Sequence, residues 1–118
     1  VRLFVGLAIV EGIDGAVLDD ASAMRACLEA GVVAGGFTLH ELRVVKFDPV
    51  GVTAAAIVGE SHLALHTWPE EGRMFVDVAS CSTEASVEAA IDALVAALPG
   101  ARIAERELRV LGASAARR

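Results

Sequence analysis

Residues 52–80 read VTAAAIVGESHLALHTWPEEGRMFVDVAS, and their patterning decides the fold. Val52 to Val58 is a run of small and β-branched apolar side chains. His62 to Trp68 sets Leu63 and Leu65 against His62, Ala64, His66 and Trp68, and Arg73 to Ser80 returns to apolar residues. Gly59-Glu60 and Pro69-Glu70-Glu71-Gly72 separate these runs with turn-forming residues. Strands joined by such short turns lie antiparallel side by side, so the stretch is expected to form a three-stranded meander.

Turn position fixes register, and register fixes which side chains share a face. Folding about Gly59-Glu60 pairs Val58 with Ser61, Ile57 with His62 and Thr53 with His66. Folding about residues 69–72 pairs Trp68 with Arg73 and His66 with Phe75. The same register carried onward sets Cys81 opposite Glu60. Side chains two apart on a strand project to the same side. Thr53, His66 and Cys81 are therefore expected on one face, around a serine at the strand end.

The flanks extend the pattern outward. Residues 2–10 read as a buried strand closed by Glu11-Gly12-Ile13-Asp14-Gly15. Asp19 or Asp20 is positioned to cap a helix running to about residue 34, with Met24, Cys27, Leu28 and Val32 at helical spacing and Gly35-Gly36 as the stop. Thr38 to Phe47 reads as a strand ended by Pro49 and Gly51. A second helix starts near Ser82 or Thr83, with Val87, Ala90, Ile91, Leu94, Val95 and Leu98 as one apolar stripe. Pro99-Gly100 ends it, and Ala101 to Leu111 reads as a last strand. The tail from Ala113 is expected to fray. The order predicts an α+β fold: one domain over residues 1–118, with one largely antiparallel sheet and two helices on one of its faces. The other face then needs cover, which a second protomer pairing into a dimer would supply.

Composition narrows the function classes. The 118 residues are 55% hydrophobic, rich in Ala, Val and Leu, and carry a formal net charge of -6. That balance argues against nucleic acid, which requires clustered Lys and Arg. The apolar start, Leu3 to Val10, is too short to span a bilayer, and no signal-peptide pattern is expected. Cys27 and Cys81 have no metal-type or disulfide-framework spacing, so a reduced, cytoplasmic setting is the expectation. Cys27 reads as core, Asp14, Asp19 and Asp20 as turn and cap residues, His40 as a surface strand residue, and Glu70-Glu71 as a solvated turn.

The residues of the meander leave several chemistries open. Ser61 or Cys81 beside His66 has the makings of a nucleophile and base, with Asp77 as a candidate orienting carboxylate, but no nucleophile-elbow motif surrounds Ser61. His62, His66 and Cys81 on one face suggest a metal site, although they are spread along it and lack a fourth ligand.

Three stretches carry a family resemblance: Phe47-Asp48-Pro49-Val50-Gly51-Val52-Thr53, Gly59 to Glu70 with its ESHL-x-x-HTWPE pattern, and Val76-Asp77-Val78-Ala79-Ser80-Cys81. Together they resemble the small prokaryotic S-adenosylmethionine decarboxylase proenzymes. The resemblance implies self-cleavage between Glu60 and Ser61, giving a β chain of residues 1–60 and an α chain of residues 61–118. Ser61 would become a pyruvoyl group, the resident cofactor, which captures the substrate amine as a Schiff base. By the same resemblance, Thr53 and His66 assist processing, Cys81 donates a proton during decarboxylation, and Phe47, Trp68 and Glu70 bind the adenosyl group. The product would be the aminopropyl donor for spermidine and other polyamines, and the working form a homodimer of processed protomers. No metal is implied.

Departures from the family pattern leave alternatives open. Ser82 follows Cys81 where glycine is common, Asp48 and Val50 replace the usual residues beside Pro49, and Thr53 stands where serine is frequent. A pyruvoyl-dependent arginine or ornithine decarboxylase is one alternative. An uncleaved, non-catalytic regulatory homologue is another.

Overall fold

A computed structural model describes residues 1–112, and the tail from Ala113, expected to fray, lies outside them. The chain runs β1 (Leu3–Glu11), α1 (Gly15–Leu18), α2 (Ala21–Ala34), β2 (Glu41–Lys46), β3 (Val52–Val58), β4 (Ser61–Trp68), a 3-10 turn (Pro69–Glu71), β5 (Arg73–Ser80), α3 (Glu84–Ala96) and β6 (Arg102–Leu111). The strands form one sheet in the order β2-β3-β4-β5-β1-β6. Every neighbouring pair is antiparallel. The fold is thus the expected α+β sheet, with its helices packed on one face.

The meander has the predicted register. Val58 pairs with Ser61 and Thr53 with His66. Trp68 pairs with Arg73 and His66 with Phe75. Alternation then divides the side chains. Val52, Ala54, Ala56 and Val58 of β3, Leu63 and Leu65 of β4, and Met74, Val76 and Val78 of β5 are buried against the helices. Met24, Cys27, Leu28 and Val32 of α2 and the stripe from Val87 to Leu98 meet them. Burial of this apolar surface is the main driving force for the fold.

Local chemistry places the helices. Asp20 caps α2 by accepting hydrogen bonds from Ser22 N (2.9 Å) and Ala23 N (3.2 Å). Thr83 caps α3 by accepting one from Ser86 N at 3.0 Å. Helix α3 lies close over β1 because Gly6 has no side chain: a Cβ there would stand 2.6 Å from Val87 Cγ1 and 2.7 Å from Ile91 Cδ1.

Two features differ from the sequence expectation. Strand β2 begins at Glu41, not Thr38, because its partner runs out. Glu41 pairs with Ile57, so earlier residues would face the Gly59-Glu60 turn. His40 is accordingly exposed just before the strand, with its N–H donating to Ile57 O at 2.9 Å. The second difference is α1, a single helical turn. Asp14 caps it through Ala16 N at 2.9 Å, and Leu18 is fully buried.

No helix of the described residues covers the other sheet face. That face carries Val45, Thr53, Ile57, His62, His66, Trp68, Phe75 and Asp77, together with Leu7 and Ile9. Val45 and Ile57 are half exposed there.

Candidate active site

The uncovered face holds Thr53, His66 and Trp68, whereas Ser61, paired with buried Val58 and two residues before Leu63, starts β4 on the helix side. Thr53 Oγ1 and His66 Nδ1 are 2.8 Å apart and share a hydrogen bond across the β3–β4 ladder. The His66 ring also lies near-parallel to Phe75, with centroids 6.3 Å apart and planes inclined by 17°. These contacts fix the imidazole on both sides and engage Nδ1, leaving Nε2 free for chemistry.

Asp77 takes a different partner from the one expected. Its Oδ2 lies 3.3 Å from Nε2 of His62, not near His66. The register explains this: His66 faces Phe75, whereas Asp77 sits opposite Ala64, diagonal to His62. An Asp77–His66–nucleophile relay is therefore not built. Among the described residues, no three His, Cys, Asp or Glu side chains converge as metal ligands.

Ser61 and Cys81 lie together at one end of the meander. Ser61 opens β4, directly after the exposed Gly59-Glu60 turn. Cys81 follows the last residue of β5 and is partly exposed. The β4–β5 ladder ends at His62–Ala79; continued in the same register it puts Cys81 opposite Glu60, as expected.

Phe47, Trp68 and Glu70 lie at the opposite end. Phe47 N–H donates to Gly51 O at 2.8 Å, closing the β2–β3 turn. In register, Gly51 falls between Phe47 and Trp68, and both rings are about half exposed. Gly51 has φ 115, and a Cβ there would come within 3.6 Å of both Phe47 Cδ2 and Thr67 O. Glycine is thus required by its backbone conformation, and it leaves the floor between the two rings clear. A recess of about 170 Å³, lined by Ile9, Trp68, Glu71, Arg73 and Met74, adjoins the tryptophan. Glu70 is exposed on the 3-10 turn beside it.

The sequence-based cluster is corrected in one respect. Thr53, His66 and Cys81 do share the face, but Thr53 and His66 do not surround Ser61 within one chain. Ser61 and His66 are five positions apart on β4, roughly 16 Å at the usual rise per strand residue. Ser61 and Trp68 are seven apart, roughly 23 Å by the same measure.

Two ionisable groups are displaced from their ordinary values. Burial pushes the Cys27 thiol up to about 12, which makes it an inert core residue. Asp19 is held below the ordinary carboxylate value, first by the Gly51 N–H and then by Lys46. Its Oδ1 accepts from Gly51 N at 2.8 Å and from Lys46 Nζ at 3.0 Å. The Gly51 contact has no local sequence signal, because the two residues are 32 positions apart.

Comparison with known proteins bears on the fold and the family. A helix-backed antiparallel sheet is the class of fold that the chain shares with them. The family model for S-adenosylmethionine decarboxylase matches residues 7–109, and the chain belongs to that family. A relative from Caldanaerobacter subterraneus subsp. tengcongensis, named S-adenosylmethionine decarboxylase proenzyme, is 40% identical over 75 residues, which is 64% of this chain and 60% of the relative. One of the same name from Parasynechococcus marenigrum is 38% identical over 96 residues, covering 81% of this chain and 75% of the relative. The crystal structure of adenosylmethionine decarboxylase from Aquifex aeolicus superposes with a TM-score of 0.78 at 27% identity, covering 92% of this chain and 87% of that one. The first match thus spans less than two thirds of its relative's length.

Proposed function

We propose that the chain is a self-processing, pyruvoyl-dependent S-adenosylmethionine decarboxylase that works as a homodimer. The observation that carries this reading is the exposed Gly59-Glu60 turn leading directly into Ser61, next to Cys81, in a chain of this family. The Ser61 hydroxyl attacks the Glu60 carbonyl, and the amide becomes an ester. Loss of the residue-61 Cα proton then expels the Glu60 carboxylate. The resulting dehydroalanine hydrolyses to a pyruvoyl terminus and releases ammonia. The β chain is then residues 1–60 and the α chain residues 61–118.

The distances within one chain support a dimer. His66, five positions along β4, and Thr53, its partner on β3, sit too far from Ser61 of their own chain to reach it. Two chains with their uncovered faces opposed and strands reversed bring Ser61 and Cys81 of one to Thr53 and His66 of the other. The same packing covers Val45 and Ile57, which the single chain leaves half exposed. With Nδ1–H donating to Thr53 Oγ1, His66 Nε2 is free to take the Cα proton at the turn.

Once formed, the pyruvoyl group supplies an electrophilic carbonyl and an electron sink for loss of carbon dioxide. The protein supplies binding, orientation and protons. Phe47 and Trp68 flank a clear floor suited to a flat heterocycle, and Glu70 stands beside them to accept ribose hydroxyls. Stacking on two aromatic faces adds on the order of 0.5–1.5 kcal/mol per pair beyond area burial. Cys81, at the turn end, returns a proton to the decarboxylated carbon. The product is an aminopropyl donor of the kind polyamine synthesis consumes.

Carbon dioxide release from carboxyl-labelled S-adenosylmethionine, arginine and ornithine tests the substrate. Release from S-adenosylmethionine alone is expected. Release from either basic amino acid in its place would reject the adenosyl reading.

A further inference from the structure

The element that sequence patterning missed, α1, together with its C-cap Asp19 touches all three segments that carry Phe47, Trp68 and Glu70. Asp19, directly after α1, holds the Phe47–Gly51 turn from behind. Its Oδ1 accepts from Gly51 N at 2.8 Å and pairs with Lys46 Nζ at 3.0 Å. Lys46 Nζ in turn donates to Phe47 O at 2.7 Å. The neighbouring residue, Leu18, holds the second segment: its carbonyl accepts from Thr67 Oγ1 at 2.9 Å. Thr67 Oγ1 also accepts from Val52 N at 2.9 Å, so it ties β3 to the residue before Trp68. The third segment lies against Gly15, where an added Cβ would stand 2.6 Å from Pro69 O.

We propose that Asp19 is a positioning residue for nucleoside recognition, fixing the Phe47 turn relative to Trp68 through the α1 brace. The proposal rests on the reading of Phe47 and Trp68 as the platform for the adenosyl group. Its physical basis is preorganisation. A turn held by one carboxylate oxygen and one ammonium needs no ordering when the ligand arrives, so binding is not weakened by that cost. Without Asp19, the Gly51 N–H and the Lys46 ammonium lose their shared acceptor, and Phe47 is no longer held at a fixed spacing from Trp68. Asp19 bonds to Gly51 and Lys46 and not to Thr53 or His66, and within its own chain it stands at the opposite end of the meander from Ser61 and Cys81, so its effect belongs to binding and not to self-cleavage or turnover.

The chain has one tryptophan, Trp68, so its fluorescence reports on the platform directly. The experiment compares the wild type with Asp19→Ala and Asp19→Asn in three readings: self-cleavage, steady-state kinetics with S-adenosylmethionine, and quenching of Trp68 by adenosine. Asp19→Ala should cleave normally and keep kcat within about twofold, while KM and the adenosine Kd rise about tenfold, the loss expected for one charge-assisted hydrogen bond. Asp19→Asn keeps an oxygen for Gly51 N–H and should recover much of the binding. Unchanged KM and Kd in Asp19→Ala would overturn the proposal, as would a fall in kcat that matched the rise in KM. Should Asp19→Ala fail to fold, Lys46→Met removes the bond to Phe47 O and leaves Asp19 on Gly51. A rise in Kd there supports the brace, and an unchanged Kd overturns it. A wild type that binds adenosine through Asp19 but releases no carbon dioxide would sink the decarboxylase reading and leave the brace standing. A wild type that turns over S-adenosylmethionine with no dependence on Asp19 would do the reverse.

Discussion

Thr53 Oγ1 stands 2.8 Å from His66 Nδ1, directly across the β3–β4 ladder on the sheet face that no described helix covers. One hydroxyl therefore determines which imidazole nitrogen is engaged and which is free. Thr53→Val removes the hydroxyl at nearly constant shape and should slow self-cleavage by about a hundredfold, the lower range for a positioned proton-transfer group. Thr53→Ser should cleave at close to the wild-type rate. Fragment appearance on denaturing gels gives both rates. Equal rates for Thr53→Val and wild type would remove Thr53 from the processing machinery.

The roughly 16 Å between Ser61 and His66 along β4 predicts complementation between chains. Ser61→Ala and His66→Ala should each fail to cleave when expressed alone. When they are co-expressed, a mixed dimer contains one complete site, made of Ser61 from one chain and His66 from the other. Only the His66→Ala chain should then be cut, to at most half of the total protein. Mass spectrometry distinguishes the two chains. No cleavage in the mixture would place both residues in one chain's site and refute the shared arrangement.

The two cysteines should behave oppositely towards alkylation. Cys27 is buried and its thiol is pushed up to about 12, so it should stay unmodified in the native protein and react only after denaturation. Cys81 is partly exposed and should react first. The same displacement gives a pH dependence. The folded pKa lies above the unfolded thiol value of about 8.5. The associated stability is therefore complete below that value and is lost as pH rises towards the folded pKa. Denaturant midpoints should fall between about pH 8.5 and 12, and Cys27→Ala should flatten that part of the profile. A wild-type midpoint that stays level there would contradict the burial of the thiol.

Most of the sheet was legible because its signals are local. Gly59-Glu60 and Pro69–Gly72 punctuate runs with clear period-two patterning, and turn position alone dictates that Thr53 meets His66. The stripe from Val87 to Leu98 and the cap at Thr83 mark α3 in the same local way. What escaped was non-local or too short to have a period. Helix α1 is four residues long and begins with glycine, so it has no apolar stripe to read. Asp19 looked like a cap because its partner, Gly51, lies 32 residues away. Asp77 is a candidate partner for His66 by residue type, but its diagonal position puts it within reach of His62. The distance from Ser61 to His66 was implicit in the numbering. Sharing a face does not make two residues close on it.

The central claim is that the Glu60-Ser61 bond is converted into a pyruvoyl terminus, and the intact mass of the purified protein tests it most directly. Two fragments are predicted: residues 1–60 ending in a free Glu60 carboxylate, and residues 61 onward lighter by one ammonia than the same chain beginning with serine. A single uncut mass, or a second fragment that retains an ordinary N-terminal Ser61, would contradict the account.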